Sequence, residues 1–258
     1  EDNSVVPDFT DDFVEQLLNL AIEAGDTILE IYHTDFEVRA KDDASPVTEA
    51  DEKAEAIILA GLVAMVPDIP AIGEEAFTAG VRPDISGGVF WLVDALDGTK
   101  EFVNKRDEFT VNIALIKNGL PIFGIVHAPA IDKTFWGGPF GAFAQEKGAD
   151  KTPIAAREPA EDGIVVVASR SHRAGEEEFL QDYTVKNIIN SGSSLKICLI
   201  AAGQADMYPR LGPTSEWDIA AGHAVLAAAG GSITQIDGSP FVYGKDNIRN
   251  PHFIAKGR

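Results

Sequence analysis

The sequence predicts an α+β fold, and three patterns along the chain carry this prediction. Two amphipathic runs near the N-terminus, residues 13–32 and 48–65, place apolar side chains at helical spacing. A mostly apolar region with a strong Asn118-Gly119 turn signal follows, which is typical of antiparallel strands. Beyond a charged, proline-containing stretch at 149–162, strand patterns alternate with helix patterns, which indicates a second α/β layer.

Each predicted element depends on its own periodicity and on its end signals. The predicted helices, which combine apolar stripes with polar starts, are residues 13–32, 48–65, 176–183, 195–202 and 216–229. The predicted strands, which are apolar runs between turn residues, are residues 36–40, 88–93, 109–117, 121–128, 134–136, 142–144, 163–168, 186–190 and 232–236. Residues 191–194 are expected to cap the helix at 195, and 78–87 is expected to be a loop or lid.

The stretch at 149–162 divides the chain into two predicted domains, residues 1–155 and 156–258. The first would hold the large antiparallel sheet, and the second would hold the alternating strands and helices. The apolar content of 45% in 258 residues is enough for a substantial core.

Composition narrows the classes of partner. A formal charge of −20 argues against binding to nucleic acid or to an anionic membrane, because both need a basic surface. The single cysteine, Cys198, excludes an internal disulfide and fits a reducing, cytoplasmic location, with peripheral association with the inner membrane left open. No apolar run has the length of an integral membrane segment. The chain starts at Glu1 rather than Met, so the sequence leaves open whether a leader was removed. The sequence also leaves the oligomeric state open.

Two carboxylates stand at the end of the predicted buried strand at 88–93. Asp94 ends the apolar run, and Asp97 follows three residues later, directly before Gly98 and Thr99. Two acids this close repel, so ionising both in a poorly hydrated site is costly without a cation between them. The turn after Asp97 exposes backbone N–H groups ahead of a short predicted helix, a geometry that captures phosphate. An Asp-Gly turn alone is ordinary, but the combination indicates metal-assisted phosphate chemistry.

The segment Asp94-Ala95-Leu96-Asp97-Gly98-Thr99 resembles the Asp-Pro-Ile/Leu-Asp-Gly-Thr signature of the lithium-sensitive, magnesium-dependent inositol monophosphatase superfamily. The blocks at 45–51 and 217–222 resemble two further signatures of that family. Lys100-Glu101-Phe102 resembles its CysQ-type 3′(2′),5′-bisphosphate nucleotidases more than the inositol enzymes. The resemblance covers the chain from about Phe13 to the C-terminus and implies a layered αβαβα sandwich. Ala95 departs from the family's proline, which should loosen the turn without removing a ligand.

The resemblance also implies roles for individual residues. Two Mg²⁺ ions, with a third, weaker ion, would be held by Glu74, Asp94, the Leu96 carbonyl, Asp97, Asp218 and Asp51. Thr99, Asp51 and Glu74 would form the catalytic set, with Thr99 positioning a metal-activated water. The amides of Gly98 and Thr99 would hold the phosphate.

The residues alone allow plainer interpretations of three of these acids. Asp51 and Asp218 stand in the first turns of predicted helices, where an acid is a favourable cap or dipole partner. Glu74 belongs to a pair of glutamates at a strand end, and such a pair is more often part of a solvated sheet edge than a metal ligand. All the side-chain candidates nevertheless offer oxygen, as Mg²⁺ prefers. No His/Cys spacing indicates zinc, and no Walker A motif or EF-hand loop occurs.

Three segments of the second half resemble CysQ-type segments that bind adenosine and its 5′-phosphate. The predicted substrate contacts there are Ser169, His172, Ser193, Ser194, Lys196, Tyr208 and Arg210. Lys196 and Arg210 would supply positive charge, although each alone is as easily explained by a surface salt bridge.

The resulting hypothesis is a Mg²⁺-dependent phosphomonoesterase that hydrolyses a small phosphorylated nucleotide, 3′-phosphoadenosine 5′-phosphate, to AMP and phosphate. Two alternatives stay open. One is inositol monophosphatase or fructose-1,6-bisphosphatase activity on the same scaffold. The other is a non-catalytic sensor that binds metal and nucleotide.

Overall fold

The computed structural model describes residues 5–42, 46–170 and 175–258. Ser45 and the predicted substrate contact His172 lie outside the described residues. Within them the chain forms seven α-helices, which are α1 (Asp11–Tyr32), α2 (Glu49–Met65), α3 (Glu74–Thr78), α4 (Thr99–Val103), α5 (Glu176–Leu180), α6 (Leu195–Ala201) and α7 (Glu216–Ala228).

A two-stranded hairpin and a seven-stranded sheet occupy the first half of the chain. The hairpin pairs β1 (Arg39–Ala40) with β2 (Pro46–Val47). The sheet has its strands in chain order, β3 (Ala71–Gly73), β4 (Val89–Asp97), β5 (Thr110–Lys117), β6 (Leu120–Ala128), β7 (Lys133–Gly138), β8 (Gly141–Glu146) and β9 (Thr152–Ile154). Only β3 and β4 run parallel, so the predicted antiparallel meander is confirmed.

The turn between β5 and β6 has the geometry that its sequence predicts. Asn118 and Gly119 have φ angles of 49° and 79°. Positive φ at both central residues defines the type I′ turn, whose twist matches that of the flanking strands.

The second half of the chain builds a five-stranded mixed sheet. Its strands are β10 (Ile164–Ser169), β11 (Val185–Ser191), β12 (Met207–Arg210), β13 (Ser232–Gln235) and β14 (Phe253–Lys256), in the order β11-β10-β12-β14-β13. β10 is parallel to both neighbours, whereas β14 is antiparallel to both of its own.

Helices cover both faces of the larger sheet. α1 and α2 pack together on one face, and α7 packs across β5, β6 and β7 on the other. Side chains along β4 accordingly alternate between two cores: Trp91 and Val93 join the cluster under α1 and α2, while Phe90 and Leu92 join the cluster with α7. α6 contacts α7 and the smaller sheet, and α5 contacts β12. The chain therefore folds as the predicted α+β layered αβαβα sandwich.

The close approach of α7 to the sheet depends on small residues on both sides. On the sheet side, a Cβ at Gly124 would lie 2.5 Å from the Ala221 carbonyl oxygen, and one at Gly137 would lie 2.8 Å from the Ala228 Cβ. On the helix side, the residues that face these positions include Ala221, Ala224 and Ala228. The helix and the sheet thus pack almost backbone to backbone, which larger residues would prevent.

Three predicted elements need correction. The strand predicted at 36–40 is reduced to Arg39–Ala40, because Phe36 packs against Phe102 with 4.6 Å between ring centroids instead of pairing. The helix predicted to 183 ends at Leu180. Ser194 occupies the N-cap position of α6, but its hydroxyl donates to Asn112 and makes no capping hydrogen bond.

The short strands β9, β12 and β14 were not predicted, because three or four residues carry too little alternation to be recognised.

Among the residues that the structure describes, none of the helices combines the length and the apolar character needed to cross a bilayer. The domain boundary near residue 155 stays a prediction.

Candidate active site

Three carboxylates from two elements converge at the end of β4. The pairing of β4 with β5 shifts register between Asp94 and Asp97, so the strand bulges where these two acids stand. Asp218, in the first turn of α7, faces them. One carboxylate oxygen of each lies within 4.8 Å of the others, which is close enough for a shared cation.

Glu74 joins this group from the neighbouring strand end. It begins α3 directly after β3, which runs parallel to β4 and therefore ends at the same edge of the sheet. It lines the same cleft as Asp97 and Asp218. Lys41 donates to Glu74 Oε1 over 2.8 Å and to Glu75 Oε1 over 2.7 Å, and so neutralises part of the cluster.

The electrostatics of the cluster fit a divalent cation. Burial raises the pKa of Asp94 well above its usual range, and the charges of Glu74, Asp97 and Asp218 raise it further. Burial and the charge of Asp97 raise the pKa of Asp218 to about 8. These shifts measure how unfavourable the ionised carboxylates are without a counter-charge. The donors are all oxygens, which suits a hard cation such as Mg²⁺.

Leu96, predicted to offer its carbonyl, lies between the two acids of β4. Its backbone N–H donates to Asp94 Oδ1 over 3.1 Å, and its carbonyl oxygen lies 3.3 Å from the Thr99 hydroxyl oxygen. The structure therefore brings Leu96 into the same cluster as Glu74, Asp94, Asp97 and Asp218.

Asp51 takes part both in the cap of its own helix and in a hydrogen bond with Thr99 in the site. Its Oδ2 accepts hydrogen bonds from the Thr48 backbone N–H and hydroxyl, at 2.8 and 2.9 Å, as the predicted capping box requires. Its Oδ1 accepts from the Thr99 hydroxyl over 3.0 Å. Burial raises the pKa of Asp51 to about 6, although these hydrogen bonds oppose the shift.

Gly98 shapes the turn that follows Asp97. It has φ 89°, a conformation that glycine adopts readily, and a Cβ there would lie 3.2 Å from the Glu108 carbonyl oxygen. The chain enters α4 at Thr99, where the first N–H groups of a helix lack intrahelical acceptors.

A cleft of about 450 Å³ runs from the carboxylates to the second half of the chain. The predicted site residues that line it are Glu74, Asp97, Gly98, Thr99, Ser169, Ser193, Ser194, Lys196, Tyr208, Arg210 and Asp218. The structure thus brings together candidate metal ligands and candidate substrate contacts that lie far apart in sequence.

Two cations in this cleft are buried without a carboxylate partner. Lys196 is 6% exposed and Arg210 is 8% exposed, and among the described residues neither forms an ion pair within 4.0 Å. The Arg210 Nε is buried without a hydrogen-bond partner in the described part of the chain. Burial lowers the pKa of Lys196 to about 8, and the charge of Arg210 contributes to this shift. Buried unpaired cations are unfavourable, which indicates a place for an anion.

Sequence reasoning missed four residues around the site. Lys41 lies in a polar loop that gives no local signal. Glu55, on α2, accepts hydrogen bonds from the backbone at the start of α3. Thr110 and Asn112 lie in β5 behind Asp97. The only signal for this pair was the presence of two polar residues in an otherwise apolar strand.

The sequence profile of the Inositol monophosphatase family matches residues 10–256. The chain belongs to the inositol monophosphatase family. Relatives named 3′(2′),5′-bisphosphate nucleotidase CysQ include that of Escherichia coli (strain K12), which is 43% identical over 93% of this chain and 98% of the relative. The protein of the same name from Salmonella typhimurium is 44% identical over the same shares.

Solved structures agree with this assignment. CysQ from Bacteroides thetaiotaomicron, described as a bacterial member of the inositol monophosphatase family, superposes with a TM-score of 0.78 at 34% identity. That comparison covers 96% of this chain and 98% of the other. An IMPase from Thermotoga maritima has a TM-score of 0.77 at 26% identity and covers 95% and 92% of the two chains.

Proposed function

We propose that this protein is a Mg²⁺-dependent 3′(2′),5′-bisphosphate nucleotidase that converts 3′-phosphoadenosine 5′-phosphate and water to AMP and phosphate. One observation carries the proposal: a single cleft holds clustered carboxylates and, separately, two buried cations that have no carboxylate partner among the described residues. A substrate with two phosphate groups satisfies both parts, one through bound cations and the other through direct contact.

The carboxylate part would hold two or three Mg²⁺ ions. The proposed ligands are Glu74, Asp94, the Leu96 carbonyl, Asp97, Asp218 and Asp51. Bound there, the ions would polarise the phosphoryl group, lower the pKa of water and neutralise the leaving oxygen. Relatives at 43–44% identity are named 3′(2′),5′-bisphosphate nucleotidase CysQ, which supports this class of reaction.

Thr99 and Asp51 would orient the attacking water. The Asp51 carboxylate is itself fixed by Thr48. It therefore holds the Thr99 hydroxyl in one orientation by accepting a hydrogen bond from it. The lone pairs of Thr99 Oγ1 are then available to accept a hydrogen bond from water. The water oxygen forms a bond to the 3′-phosphorus and gives up one proton, the bond from phosphorus to the 3′ oxygen breaks, and the leaving oxygen takes up one proton to become the ribose hydroxyl.

The amides of Gly98 and Thr99 would hold the transferred phosphoryl group. The second phosphate would contact Lys196 and Arg210, because an Arg guanidinium suits bidentate phosphate contact and Lys supplies a point charge. Tyr208, which shares β12 with Arg210 and has its ring centroid 5.4 Å from Lys196 Nζ, would pack against the nucleoside. Ser169, Ser193, Ser194 and His172 complete the proposed contacts.

A substrate panel tests this proposal directly. Phosphate release by the full chain is measured with 3′-phosphoadenosine 5′-phosphate, inositol 1-phosphate and fructose 1,6-bisphosphate, each with Mg²⁺ and with excess chelator. We expect kcat/KM to be at least about tenfold higher for the nucleotide than for the other two, and release to stop with chelator.

Other outcomes select the alternatives. Preference for inositol 1-phosphate or fructose 1,6-bisphosphate would overturn the proposed substrate while keeping the reaction class. No release from any substrate, with Mg²⁺ and nucleotide both binding, would indicate a sensor instead.

We also propose a cytoplasmic location, since the single thiol, Cys198, is buried and fits a reducing compartment.

A further inference from the structure

A connected set of polar side chains, all of them buried except the half-buried Ser193, lies directly behind Asp97. Ser193 Oγ donates to Asp97 Oδ2 over 2.5 Å, and the Ser194 backbone N–H donates to the same oxygen over 2.9 Å. Thr110 Oγ1 is 2.6 Å from Ser193 Oγ and 2.8 Å from Ser194 Oγ. Asn112 Nδ2 donates to Thr110 Oγ1 over 2.9 Å, and Asn112 Oδ1 accepts from Ser194 Oγ over 2.6 Å. The set thus joins β4, β5 and the start of α6.

The direction of these hydrogen bonds is fixed by the available protons. Because Ser193 gives its proton to Asp97, Thr110 must be the donor at its contact with Ser193. Asn112 in turn donates to Thr110. The chain of donors therefore runs from Asn112 through Thr110 and Ser193 to the Asp97 carboxylate, and such chains strengthen each member.

The position of Thr110 and Asn112 would otherwise favour apolar residues. Thr110 is fully buried and Asn112 is 1% exposed, in a strand whose other inward residues are apolar. Burying polar groups is unfavourable unless they are hydrogen-bonded. The Thr110 hydroxyl and the Asn112 side chain here bond to the segment that carries candidate substrate contacts.

That segment is held in an unfavourable backbone conformation. Ser193 has φ 54°, in the left-handed region that residues other than glycine rarely adopt. The preceding Gly192 packs so closely that a Cβ would lie 2.9 Å from the Glu108 carbonyl oxygen. Such a turn persists only when its surroundings fix it. The hydrogen bonds that join Ser193 and Ser194 with Asp97, Thr110 and Asn112 do so.

We propose that Thr110 and Asn112 are positioning residues that fix Asp97 and the turn at 192–194 relative to each other. Lys196 follows this turn by two residues, so the same contacts set the spacing between the cation-binding carboxylates and the anion-binding cations. The inference rests on the proposed function, because the spacing between the carboxylates and the cations would select substrates with two phosphate groups. Neither Thr110 nor Asn112 is among the residues that line the cleft.

The test compares three variants of the full chain. Thr110→Val removes the hydroxyl and keeps the shape, whereas Thr110→Ser keeps the hydroxyl. Thr134→Val is the matched control, because Thr134 is also a buried threonine in the same sheet, hydrogen-bonded to His127 over 2.8 Å and outside the cleft. Each is measured for its thermal midpoint, its Mg²⁺ affinity by calorimetry without substrate, and its KM for 3′-phosphoadenosine 5′-phosphate and for p-nitrophenyl phosphate.

We expect Thr110→Val to weaken Mg²⁺ binding by at least about fivefold, because it leaves buried partners unsatisfied next to Asp97. Its KM for the nucleotide should rise by at least about fivefold more than its KM for p-nitrophenyl phosphate. Thr110→Ser should restore both values to within about twofold. Thr134→Val should lower only the thermal midpoint.

Two results would overturn the inference. One is a folded Thr110→Val variant whose Mg²⁺ affinity and nucleotide KM match the wild type, and the other is a Thr110→Ser variant as impaired as Thr110→Val. If the wild type does not hydrolyse the nucleotide, the proposed function fails, but calorimetry with Mg²⁺ still tests the link to Asp97. If Thr110→Val does not fold, the same measurements on Asn112→Ser, which keeps a smaller polar group, take its place with the same expected and contrary results.

Discussion

The Thr99 hydroxyl donates a hydrogen bond to the Asp51 carboxylate over 3.0 Å, and this bond joins the first turns of α4 and α2. The other Asp51 oxygen is held by Thr48 in the capping box of α2. The cap therefore fixes the carboxylate that in turn orients Thr99. The pattern of Thr48 and Asp51, which looks like a helix cap in the sequence, both caps α2 and orients Thr99 in the fold.

Replacing Thr99 by valine should lower kcat and leave the fold intact. Val keeps the shape of the side chain but lacks the oxygen that would accept a hydrogen bond from water, so we expect kcat to fall about 10²- to 10⁴-fold. Thr99→Ser keeps the hydroxyl and should retain most of the activity. Phosphate release at saturating substrate gives kcat, and circular dichroism checks the fold. Equal activity of the valine and serine variants would contradict this role.

Removing Lys196 or Arg210 should impair binding of the second phosphate selectively. A charge-assisted hydrogen bond contributes about 1.5–3 kcal/mol, so Lys196→Ala and Arg210→Ala should each raise KM for the nucleotide at least about tenfold. KM for p-nitrophenyl phosphate, which has one phosphate group, should change little. Arg210→Lys should be intermediate, because it keeps the charge but loses the bidentate geometry. Equal changes in KM for both substrates would remove the argument for a bisphosphate.

The same contact predicts a pH dependence. Burial lowers the pKa of Lys196 to about 8, with Arg210 adding to this effect and Asp97, Glu101 and Glu108 opposing it. Below that pH the side chain is charged and attracts phosphate, and above it the charge is lost. KM for the nucleotide should therefore rise as pH increases beyond about 8, by at most about tenfold per pH unit.

Two controls isolate the contribution of Lys196 to this profile. Lys196→Arg keeps its charge at all these pH values, so its KM should not rise in the same range. The KM of the wild type for p-nitrophenyl phosphate reports any titration at the carboxylates. An identical rise in the Lys196→Arg variant would show that another group titrates.

Glu55 should support the helix that carries Glu74. Its carboxylate accepts hydrogen bonds from the backbone N–H groups of Glu75 and Ala76, both over 2.8 Å, and so satisfies the start of α3. Glu55→Gln places an amide N–H group near these donors, so we expect a loss of about 1–3 kcal/mol in the free energy of unfolding. The Mg²⁺ concentration for half-maximal activity should also rise.

The matched control for Glu55 is Glu52→Gln on the same helix. Glu52 is exposed and pairs with Arg39, over 2.7 Å, at the surface. Surface pairs of this kind contribute little, so both measurements should match the wild type. If Glu55→Gln behaved like Glu52→Gln in both denaturation and Mg²⁺ titration, the supporting role would be wrong.

The parts of the site that the sequence could predict are those carried by short local motifs. Asp94 and Asp97 end a recognisable strand, and Asp51 and Asp218 open recognisable helices. Their convergence was expected from a family resemblance, because local patterns do not show which strand ends meet. The long helices α1, α2 and α7 were predictable for a similar reason, since their periodicity repeats over several turns.

The rest depends on contacts between distant parts of the chain. Thr110 meets Ser193 across 83 residues of sequence, and neither residue has a local feature that names the other. Glu55 looks like any polar residue of α2 until α3 packs onto it. The serines at 193 and 194 resemble a helix cap, but Asn112 and Asp97 compete for their hydroxyls in the fold. Local preference gives way where a buried partner offers a stronger hydrogen bond.

The measurement that tests the central claim most directly is anomalous diffraction from crystals of the full chain grown with Mn²⁺ as a stand-in for Mg²⁺. We predict anomalous peaks among the carboxylates of Asp94, Asp97, Asp218 and Glu74, with metal–oxygen distances of about 2.0–2.3 Å, and loss of at least one peak in Asp97→Asn. An ordered site with no peak among these carboxylates, or with unchanged peaks in the variant, would contradict the account.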